Sequence, residues 1–545
     1  MSEVTWTRRR DEKARRISSI KHLTGNSFLK KEDIVEALEK LLQPGDKVVL
    51  EGDNQKQASF LSLSLAQVDP AKLNGLHMIM SSISRPEHLD IFEKGIGKKI
   101  DFSFAGPQSL RISQMIEDHK IEIGEIHTYL ELYGRLFIDL IPNVALVAAD
   151  KADRNGNLYT GPNTEETPAI IEATAFKDGI VIVQVNEIVD ELPRVDIPGS
   201  WVDFIVEADK PYQLEALFTR DPRLISELHI LIGMMTIRGV YEKHKVRSLN
   251  HGIGFNTAAI ELLLPTYAES LGLKGKIATN WVLNPHPTLI PAVESGWVET
   301  VHCFGGEVGM EAYCAARPDV FFTGRDGSLR SNRAFAQVAG QYAIDMFVGS
   351  TLQIDKRANS STVVSGRLAG FGGAPNMGHD PKGRRHSSPA WLDLITSKDP
   401  VAKGRKLVVQ TVETFENGHT PVFVESLDAI EVAKQARLAT APVMIYGDDV
   451  SHVVTEEGIA YIYKAVGEEE RRQALSAVAG VTPLGQDIDA KTICSLRERG
   501  IVSYPEDLGI ARTQAKRSLL AAKNVKDLVE WSGGLYNPPA KFRNW

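Results

Sequence analysis

The sequence is poor in the residues and patterns that mark several large classes of protein. Its 545 residues include only three cysteines, Cys303, Cys314 and Cys494, and none belongs to a Cys-x-x-Cys pair. This excludes a disulfide framework and a zinc knuckle, and it fits a reducing cytosol, so we expect a cytoplasmic protein. No apolar run approaches the roughly 18 residues that a membrane-spanning helix needs.

Charge and motif content exclude further functions. The formal net charge of −8 argues against a general nucleic-acid binder, which needs a basic surface. The sequence contains no phosphate-binding GxxxxGK[ST] loop, no HExxH zinc motif and no GxSxG nucleophile turn. His251, His286 and His302 fall in one third of the chain, but nothing in the sequence places them on a common face. The sequence therefore favours ordinary polar histidines over a metal site.

Helical and strand patterns alternate along the chain. The helical segment KEDIVEALEKLL is followed by a Pro-Gly turn, the short apolar strand KVVL and a second helical segment. Near-continuous runs such as NVALVAA and GIVIVQVNEIV are typical of parallel strands that are buried on both faces. This alternation predicts the α/β class with mainly parallel sheets.

The same pattern restarts about 200 residues later, in KVRSLNHGIGFNTAAIELLLP. The repetition predicts two tandem open α/β domains, residues 1–215 and 216–545. The less diagnostic segment 401–545 is included in the second domain.

Two strand-to-helix turns are candidates for ligand binding. Gly252 and Gly254 open a helix, where glycine lets a ligand approach the backbone N–H groups. A dinucleotide loop needs a third glycine where Thr257 stands, so the sequence disfavours an NAD-dependent dehydrogenase. In the first half, EGDNQKQ offers side-chain amides that can bind a pantetheine chain or a carboxylate, although a helix cap is the simpler interpretation. These amides belong to Asn54, Gln55 and Gln57.

Together these segments resemble the class I CoA-transferase superfamily. Members have two similar open α/β domains, and HGIGF matches the Gly-x-Gly loop of their second domain. Residues 358–361 occupy the place of an Asn-Ala-Glu-Ser-type turn, and residues 370–376 occupy the place of a glycine loop that follows it. Near the C-terminus, VVTEEGIAYI resembles a segment of many members. The resemblance implies a CoA-transferase-like fold in both domains.

Within this superfamily the chain most resembles the malonate decarboxylase alpha-subunit family. PGDKVVLEGDNQKQASFL, DRNGNLYTGPNTEETPAIIEATAF and LNHGIGFNTAAIELLLPTY all read like that family, and the match runs to about residue 395. The resemblance implies a transferase that exchanges the acetyl group on an acyl carrier protein for malonyl. It also implies a complex with that carrier protein and with carboxyltransferase-like decarboxylase subunits. The cofactor would be a CoA-derived prosthetic group on the carrier, with none held tightly by this chain.

One feature departs from the superfamily. The nucleophilic glutamate of CoA-transferases falls in KIATNWVLNPHP, where no carboxylate is present, while Glu294 and Glu307 lie elsewhere. A carboxylate of malonate can replace it by attacking the acetyl thioester directly, giving a mixed anhydride, so that positioning and oxyanion stabilisation supply the catalysis. We expect the catalytic groups to be Gly252, Gly254, Asn280, Gly372, Gly373 and Asn376. We expect the substrate and carrier to contact Asn54, Gln55, Gln57, Arg330 and Gly370.

Two alternatives remain open. The chain could be a stand-alone CoA-transferase or acetyl-CoA hydrolase, against which the missing glutamate counts, or a non-catalytic scaffold that only binds the carrier. The sequence does not rank the arginines that could hold the second carboxylate of malonate. These are Arg325, Arg330, Arg333 and Arg367.

Overall fold

A computed structural model describes residues 6–53, 55–212, 214–380 and 406–545. Within them the chain forms two large β-sheets, one in each half. The strands of the first half are β1 (Phe28–Leu29), β2 (Lys47–Leu50), β3 (Gly52–Asp53), β4 (Lys56–Gln57), β5 (Leu76–Ser82), β6 (Gly97–Phe104), β7 (Glu122–Ile126), β8 (Val144–Asp153), β9 (Leu158–Tyr159), β10 (Ile180–Val189) and β11 (Phe204–Glu207). The helices of this half are α1 (Trp6–Ser19), α2 (Ile34–Leu41), α3 (Ser59–Leu65), α4 (Pro86–Glu93), α5 (Ser109–Glu117), α6 (Tyr129–Ile138) and α7 (Thr167–Ala175).

The first sheet has the order β1-β11-β10-β8-β2-β5-β6-β7, and β9 pairs with β8 at one end. All neighbours on this path are parallel, and only β9 is antiparallel to its partner. Residues 144–149 of β8 are fully buried because helices cover both faces of the sheet. The apolar runs NVALVAA and GIVIVQVNEIV are therefore the central strands β8 and β10, as predicted.

The second half repeats this plan. Its strands are β12 (Ser248–His251), β13 (Asn280–Val282), β14 (Thr300–His302), β15 (Met346–Gly349), β16 (Gln353–Asp355), β17 (Ser360–Ser361), β18 (Val363–Val364), β19 (Arg367–Leu368), β20 (Leu407–Thr411), β21 (Phe415–Glu416), β22 (Thr420–Pro421), β23 (Phe423–Val424), β24 (His452–Val454), β25 (Ile459–Ala460) and β26 (Val502–Ser503). Its helices are α8 (Glu227–Thr236), α9 (Phe255–Leu263), α10 (Ile290–Glu294), α11 (Glu311–Ala316), α12 (Arg333–Tyr342), α13 (Ala374–Met377), α14 (Ala429–Ala436), α15 (Gly467–Ser476), α16 (Pro483–Gln486), α17 (Ala490–Glu498) and α18 (Val525–Trp531).

The second sheet has the order β14-β13-β12-β15-β20-β24-β25-β26. Its first six strands are parallel, and β25 and β26 are antiparallel additions at one edge. The predicted α/β class with mainly parallel sheets is confirmed. Four strands of this sheet come from residues 407–503, so this part of segment 401–545 completes the second sheet. The expected division at residues 215/216 lies between β11 and α8 and stays a prediction. No helix within the described residues is long and apolar enough to cross a membrane.

The glycine-rich segment after β19 crosses from the second half to the first. The backbone N–H groups of Phe371 and Gly372 both donate to the Ser103 carbonyl, at 2.7 and 2.9 Å. Gly370 forms a bridge with Phe104, the last residue of β6. This contact brings the glycine segment against the carboxyl end of a strand in the first sheet.

Candidate functional site

A mainly apolar cavity lies where the carboxyl ends of strands from both sheets converge. It has a volume of 340 Å³. Ligands of open α/β sheets bind at this edge because the loops that follow parallel strands meet there. The residues that bring both halves to the wall are Asp53, Gln55 and Phe104 from the first half and His251, Asn284, His286 and Ser350 from the second.

A buried carboxylate joins two histidines of the cavity wall. Glu261 Oε1 lies 2.9 Å from Nδ1 of His251 and 2.9 Å from Nδ1 of His286. The other oxygen of Glu261 accepts from the Thr288 hydroxyl. His251 is also bound through Nε2 to the Tyr241 hydroxyl at 2.5 Å. His286 Nε2 has no partner among the described residues, so it is the ring nitrogen of this group that remains free for a substrate.

The charge of this group is set by burial. Burial alone would raise the pKa of Glu261, but His286, then His251 and Arg220, hold it well below its ordinary value. Burial lowers the pKa of His286 to about 4, although Glu261 opposes the shift. Burial also lowers the pKa of His251. At neutral pH the site therefore holds an ionised Glu261 and two neutral imidazoles.

A second buried cluster links the halves at the cavity wall. Arg333 Nη2 lies 2.8 Å from Asp53 Oδ1 and 2.8 Å from Glu165 Oε2. Burial raises the pKa of both carboxyls, and Arg333 opposes the shift. The arginine stands at the start of α12, whereas its two partners belong to the first half. Its charge is therefore shared between two carboxylates.

Five of the residues expected at the site line this cavity. They are Gln55, Gly252, Gly370, Gly372 and Gly373. Two of their amides are already engaged, because Gly252 N–H donates to Val348 at 2.7 Å and Gly372 N–H donates to Ser103. The backbone amide of Gly373 has no partner among the described residues. Unlike the amides of Gly252 and Gly372, it can therefore donate to a ligand.

Two further expected residues lie just behind the wall. Gly254 directly precedes α9 and follows Ile253, which lines the cavity, and its amide is also unpartnered within the described part of the chain. Asn376 donates from Nδ2 to Gln337 Oε1 at 2.9 Å, and Gln337 lines the cavity. Asn376 therefore reaches the cavity through Gln337.

The structure places three other expected residues away from the cavity. Asn280 begins β13, whereas the cavity lies beyond the carboxyl ends of the strands, and its amide donates to Thr300 at 2.9 Å. Gln57 is fully buried and does not line the cavity. Arg330 is exposed and lies 3.7 Å from Asp196, away from the cavity wall. Asn54 lies outside the described residues.

Glu294 and Glu307, two glutamates that follow the segment of the missing nucleophile, do not line the cavity. Glu294 accepts a hydrogen bond from Tyr313 at 2.7 Å and pairs with Arg317. Glu307 is buried and binds the backbone N–H groups of Phe218 and Thr219. Burial raises the pKa of Glu307 to about 7. Its hydrogen bonds give it a structural task, which is to fix the segment that passes the cavity.

Apart from Arg333, the residues that give this cavity its charges were not among those expected at the site. Glu261 stands ten residues after His251, on the helix that follows the Gly-x-Gly turn, and this spacing was the one signal present. His286 joins the group only through the fold, and the Asp53–Arg333 pair spans both halves. Within the described part of the chain, no three His, Cys, Asp or Glu side chains are arranged to hold a metal ion.

Comparison with known proteins gives matches over the full length. A family model described as the malonate decarboxylase alpha subunit, transporter, matches residues 5–545. An acetyl-S-ACP:malonate ACP transferase of Malonomonas rubra is 55% identical over 551 residues and is covered, like this chain, to 100%. A chain in the crystal structure of a Pseudomonas malonate decarboxylase hetero-tetramer in complex with malonate is 67% identical, with a TM-score of 0.96 and 99% of each chain covered.

A more distant structure shares the fold alone. The putative citrate lyase alpha subunit of Streptococcus mutans, solved with citrate, is 16% identical with a TM-score of 0.60. The match covers 94% of this chain and 86% of the other. The arrangement of two sheets thus extends beyond the close relatives.

Proposed function

The chain belongs to the malonate decarboxylase alpha-subunit family, and from that membership we propose that it exchanges the acetyl group on an acyl carrier protein for malonyl. The reaction converts acetyl-S-carrier and malonate into malonyl-S-carrier and acetate. The observation that carries this proposal is the 55% identity, over the full chain, to an acetyl-S-ACP:malonate ACP transferase. The cavity at the meeting point of both sheets is the place for the reaction.

The cavity wall favours a substrate carboxylate as the nucleophile. Among the described residues that line it, the only carboxylate belongs to Asp53. The Asp53 side chain is fully buried. Its Oδ1 pairs with Arg333 and accepts a hydrogen bond from the backbone N–H of Gln55. A fully buried carboxylate that is ion-paired with an arginine is a poor nucleophile, whereas a carboxylate of malonate arrives with the substrate.

The exchange then proceeds in two balanced steps. A malonate oxygen attacks the acetyl carbonyl carbon, the carbon–sulfur bond breaks, and a carrier thiolate and an acetyl–malonyl anhydride result. The thiolate attacks the malonyl carbonyl carbon, and acetate leaves. No proton is gained or lost overall, so the protein's task is to hold the reactants and to stabilise two oxyanions.

The free backbone amides suit this task. Gly373 lines the cavity and Gly254 lies directly behind its wall, and neither amide has a partner in the described part of the chain. Removing one oxyanion donor typically costs about 2.7–4 kcal/mol of transition-state stabilisation. We assign these two amides, rather than those of Gly252 and Gly372, to the oxyanions.

The carrier's CoA-derived prosthetic group enters this scheme as a substrate. A volume of 340 Å³ is near the lower end of the range for small-molecule sites, so the cavity holds the acyl thioester and malonate rather than the whole prosthetic group. In this proposal the chain works in the cytoplasm, in a complex with the carrier protein and with carboxyltransferase-like decarboxylase subunits.

Mass spectrometry of a single turnover tests the function and its route together. Acetylated carrier protein is mixed with the full chain and with malonate labelled with oxygen-18 in both carboxylates. We expect the carrier to change from acetyl to malonyl and one labelled oxygen to appear in acetate, because the attacking oxygen stays on the acetyl carbon.

Other outcomes identify the alternatives. If the carrier becomes malonylated but the oxygen-18 appears on a protein carboxylate instead of in acetate, an enzyme carboxylate is the nucleophile. Carrier binding without exchange would favour the scaffold. Acetyl-CoA acting as well as acetylated carrier would favour a stand-alone CoA-transferase or hydrolase.

A further inference from the structure

Arg220 is a buried guanidinium with no partner. Only 6% of the residue is exposed, and Nε, Nη1 and Nη2 all lack a hydrogen bond within the described residues. Leaving one such group unsatisfied is costly, and an unpaired buried charge costs several kcal/mol. A bound anion would supply the missing hydrogen-bond acceptors and offset this cost.

The segment that carries Arg220 runs along the cavity wall. Leu217 and Phe218 line the cavity, and the Phe218 ring stacks on His286 with 5.1 Å between ring centroids. Glu307 fixes this segment by accepting from the Phe218 and Thr219 amides at 3.1 and 2.7 Å. Arg220 therefore lies two positions after Phe218, the last residue of this segment that lines the cavity, and Glu307 holds the segment in place.

The electrostatics place the guanidinium beside the histidine group. After burial, the positive charge of Arg220 is among the causes that lower the pKa of both His251 and His286. The charges that act on Arg220 itself are those of Glu261 and Glu307, yet neither carboxylate bonds it. Glu261 is hydrogen-bonded to His251, His286 and Thr288 instead. Glu307 accepts hydrogen bonds from backbone amides.

The other candidate arginines are already paired or exposed. Arg333 is shared between Asp53 and Glu165, Arg367 lies 3.2 Å from Glu416, and Arg325 is exposed. A planar guanidinium matches a carboxylate with two parallel hydrogen bonds. Among the reactants of the proposed function, malonate alone keeps a free carboxylate while its other one is being acylated.

We infer that Arg220 binds this second carboxylate of malonate and so selects a dicarboxylate over acetate. This inference rests on the proposed function for the identity of the ligand. The subsite itself rests on the unpartnered, buried guanidinium beside the cavity.

Binding measurements on the full chain test the subsite. Isothermal titration compares malonate with malonamate, in which an amide replaces one carboxylate, and with acetate. We expect the wild type to prefer malonate over malonamate by about 30-fold or more, because breaking a buried charge pair costs 2 kcal/mol or more. Arg220→Gln should bind both with equal weakness, and Arg220→Lys should keep part of the preference. Arg325→Gln, a change at an exposed arginine, should bind like the wild type.

Kinetics separate this inference from the function on which it rests. In the carrier exchange assay, Arg220→Gln should raise KM for malonate by about 30-fold or more and leave KM for acetylated carrier unchanged. An Arg220→Gln protein that still prefers malonate, while wild-type exchange is intact, would overturn the subsite and leave the function standing. Malonate binding that needs Arg220, in a wild type that makes no malonyl-carrier, would support the subsite and refute the function.

Thermal unfolding with and without malonate shows whether Arg220 merely balances Glu261. If it does, Arg220→Gln will melt at a lower temperature and malonate will stabilise both proteins equally, which contradicts a substrate role. If it holds malonate, malonate should raise the melting temperature of the wild type and leave that of Arg220→Gln unchanged, whatever the melting temperatures without ligand. Arg220→Lys gives the same comparison if the glutamine variant does not fold.

Discussion

At the scale of single residues, Glu261 decides what each neighbouring histidine can do. Both ring nitrogens of His251 are bound, one by Glu261 and the other by Tyr241. His286 spends only Nδ1 on Glu261, so its neutral Nε2 is a free hydrogen-bond acceptor at the cavity wall. The carrier thiolate forms directly when the carbon–sulfur bond breaks, so we assign His286 to positioning the reactants rather than to proton transfer.

Replacing His286 with glutamine should slow the exchange by about tenfold, because the variant lacks the free ring nitrogen at the wall and one hydrogen bond contributes about 0.5–1.5 kcal/mol. His302→Gln is the matched control, since His302 ends β14 and does not line the cavity. Rates are measured by mass spectrometry of the carrier at saturating malonate. If both variants keep the wild-type rate, the imidazole of His286 has no part in the reaction.

The pH profile distinguishes this role from a structural one. Burial lowers the pKa of His286 to about 4, so the ring is still neutral at pH 5.5, where an ordinary histidine is mostly protonated. With the malonate dianion kept saturating at each pH, the wild-type rate should therefore stay level between pH 7 and pH 5.5. A decline centred near pH 6.5 would contradict the neutral, buried state of His286.

At the scale of elements, the glycine segment after β19 depends on contact with β6. Gly370 has φ +74°, and a Cβ there would lie 2.4 Å from the Ser103 carbonyl oxygen. Gly370→Ala should therefore push the segment off the first sheet and move the Gly373 amide. We expect at least a tenfold loss of exchange, since one oxyanion donor is worth more than a factor of ten.

Gly366→Ala provides the matched control for this contact. Gly366 has nearly the same φ, +75°, but a Cβ there would meet nothing within 4 Å. Both variants carry the backbone strain of a left-handed residue, about 1–2 kcal/mol, and only Gly370→Ala adds the clash. Urea unfolding and exchange rates of both proteins check this; equal rates in the two would mean that the contact with β6 does not matter for catalysis.

What the sequence could predict follows from the range of each signal. The strands β8 and β10 and the Gly-x-Gly turn are local patterns, and all three were found. Asn280 was expected at the site because its segment takes the place of the missing glutamate, but segment order alone does not show that it begins β13, at the end of the strand away from the cavity. The His286–Glu261 contact joins residues 25 positions apart, and the Arg333–Asp53 pair joins 280 positions. Such pairs depend on the packing of elements, which no local periodicity encodes.

At the scale of the whole molecule, Arg333 is a charged link between the two halves. It is 6% exposed and stands between Asp53 and Glu165, whose negative charges it stabilises against the effect of burial. Arg333→Met would leave these two buried carboxyls without their ion-pair partner, with Lys56 as a remaining positive charge that acts on both. Breaking a buried pair in this way costs about 3–5 kcal/mol, so the free energy of unfolding should fall by that amount at pH 8.

The loss should depend on pH in a defined direction. Without Arg333, the folded-state pKa of Glu165 rises further above its unfolded value of 4.5. Well below pH 4.5, the carboxyl is protonated in both the folded and the unfolded state, so the cost of burying its charge disappears. As the pH rises above 4.5, the unfolded chain releases the proton first, and the folded state loses stability. Urea unfolding should therefore show a smaller deficit at pH 5 than at pH 8. The double variant Arg333→Met/Glu165→Gln should recover part of the lost free energy of unfolding at pH 8. A loss that is equal at pH 5 and pH 8 would show that Arg333 contributes packing rather than charge.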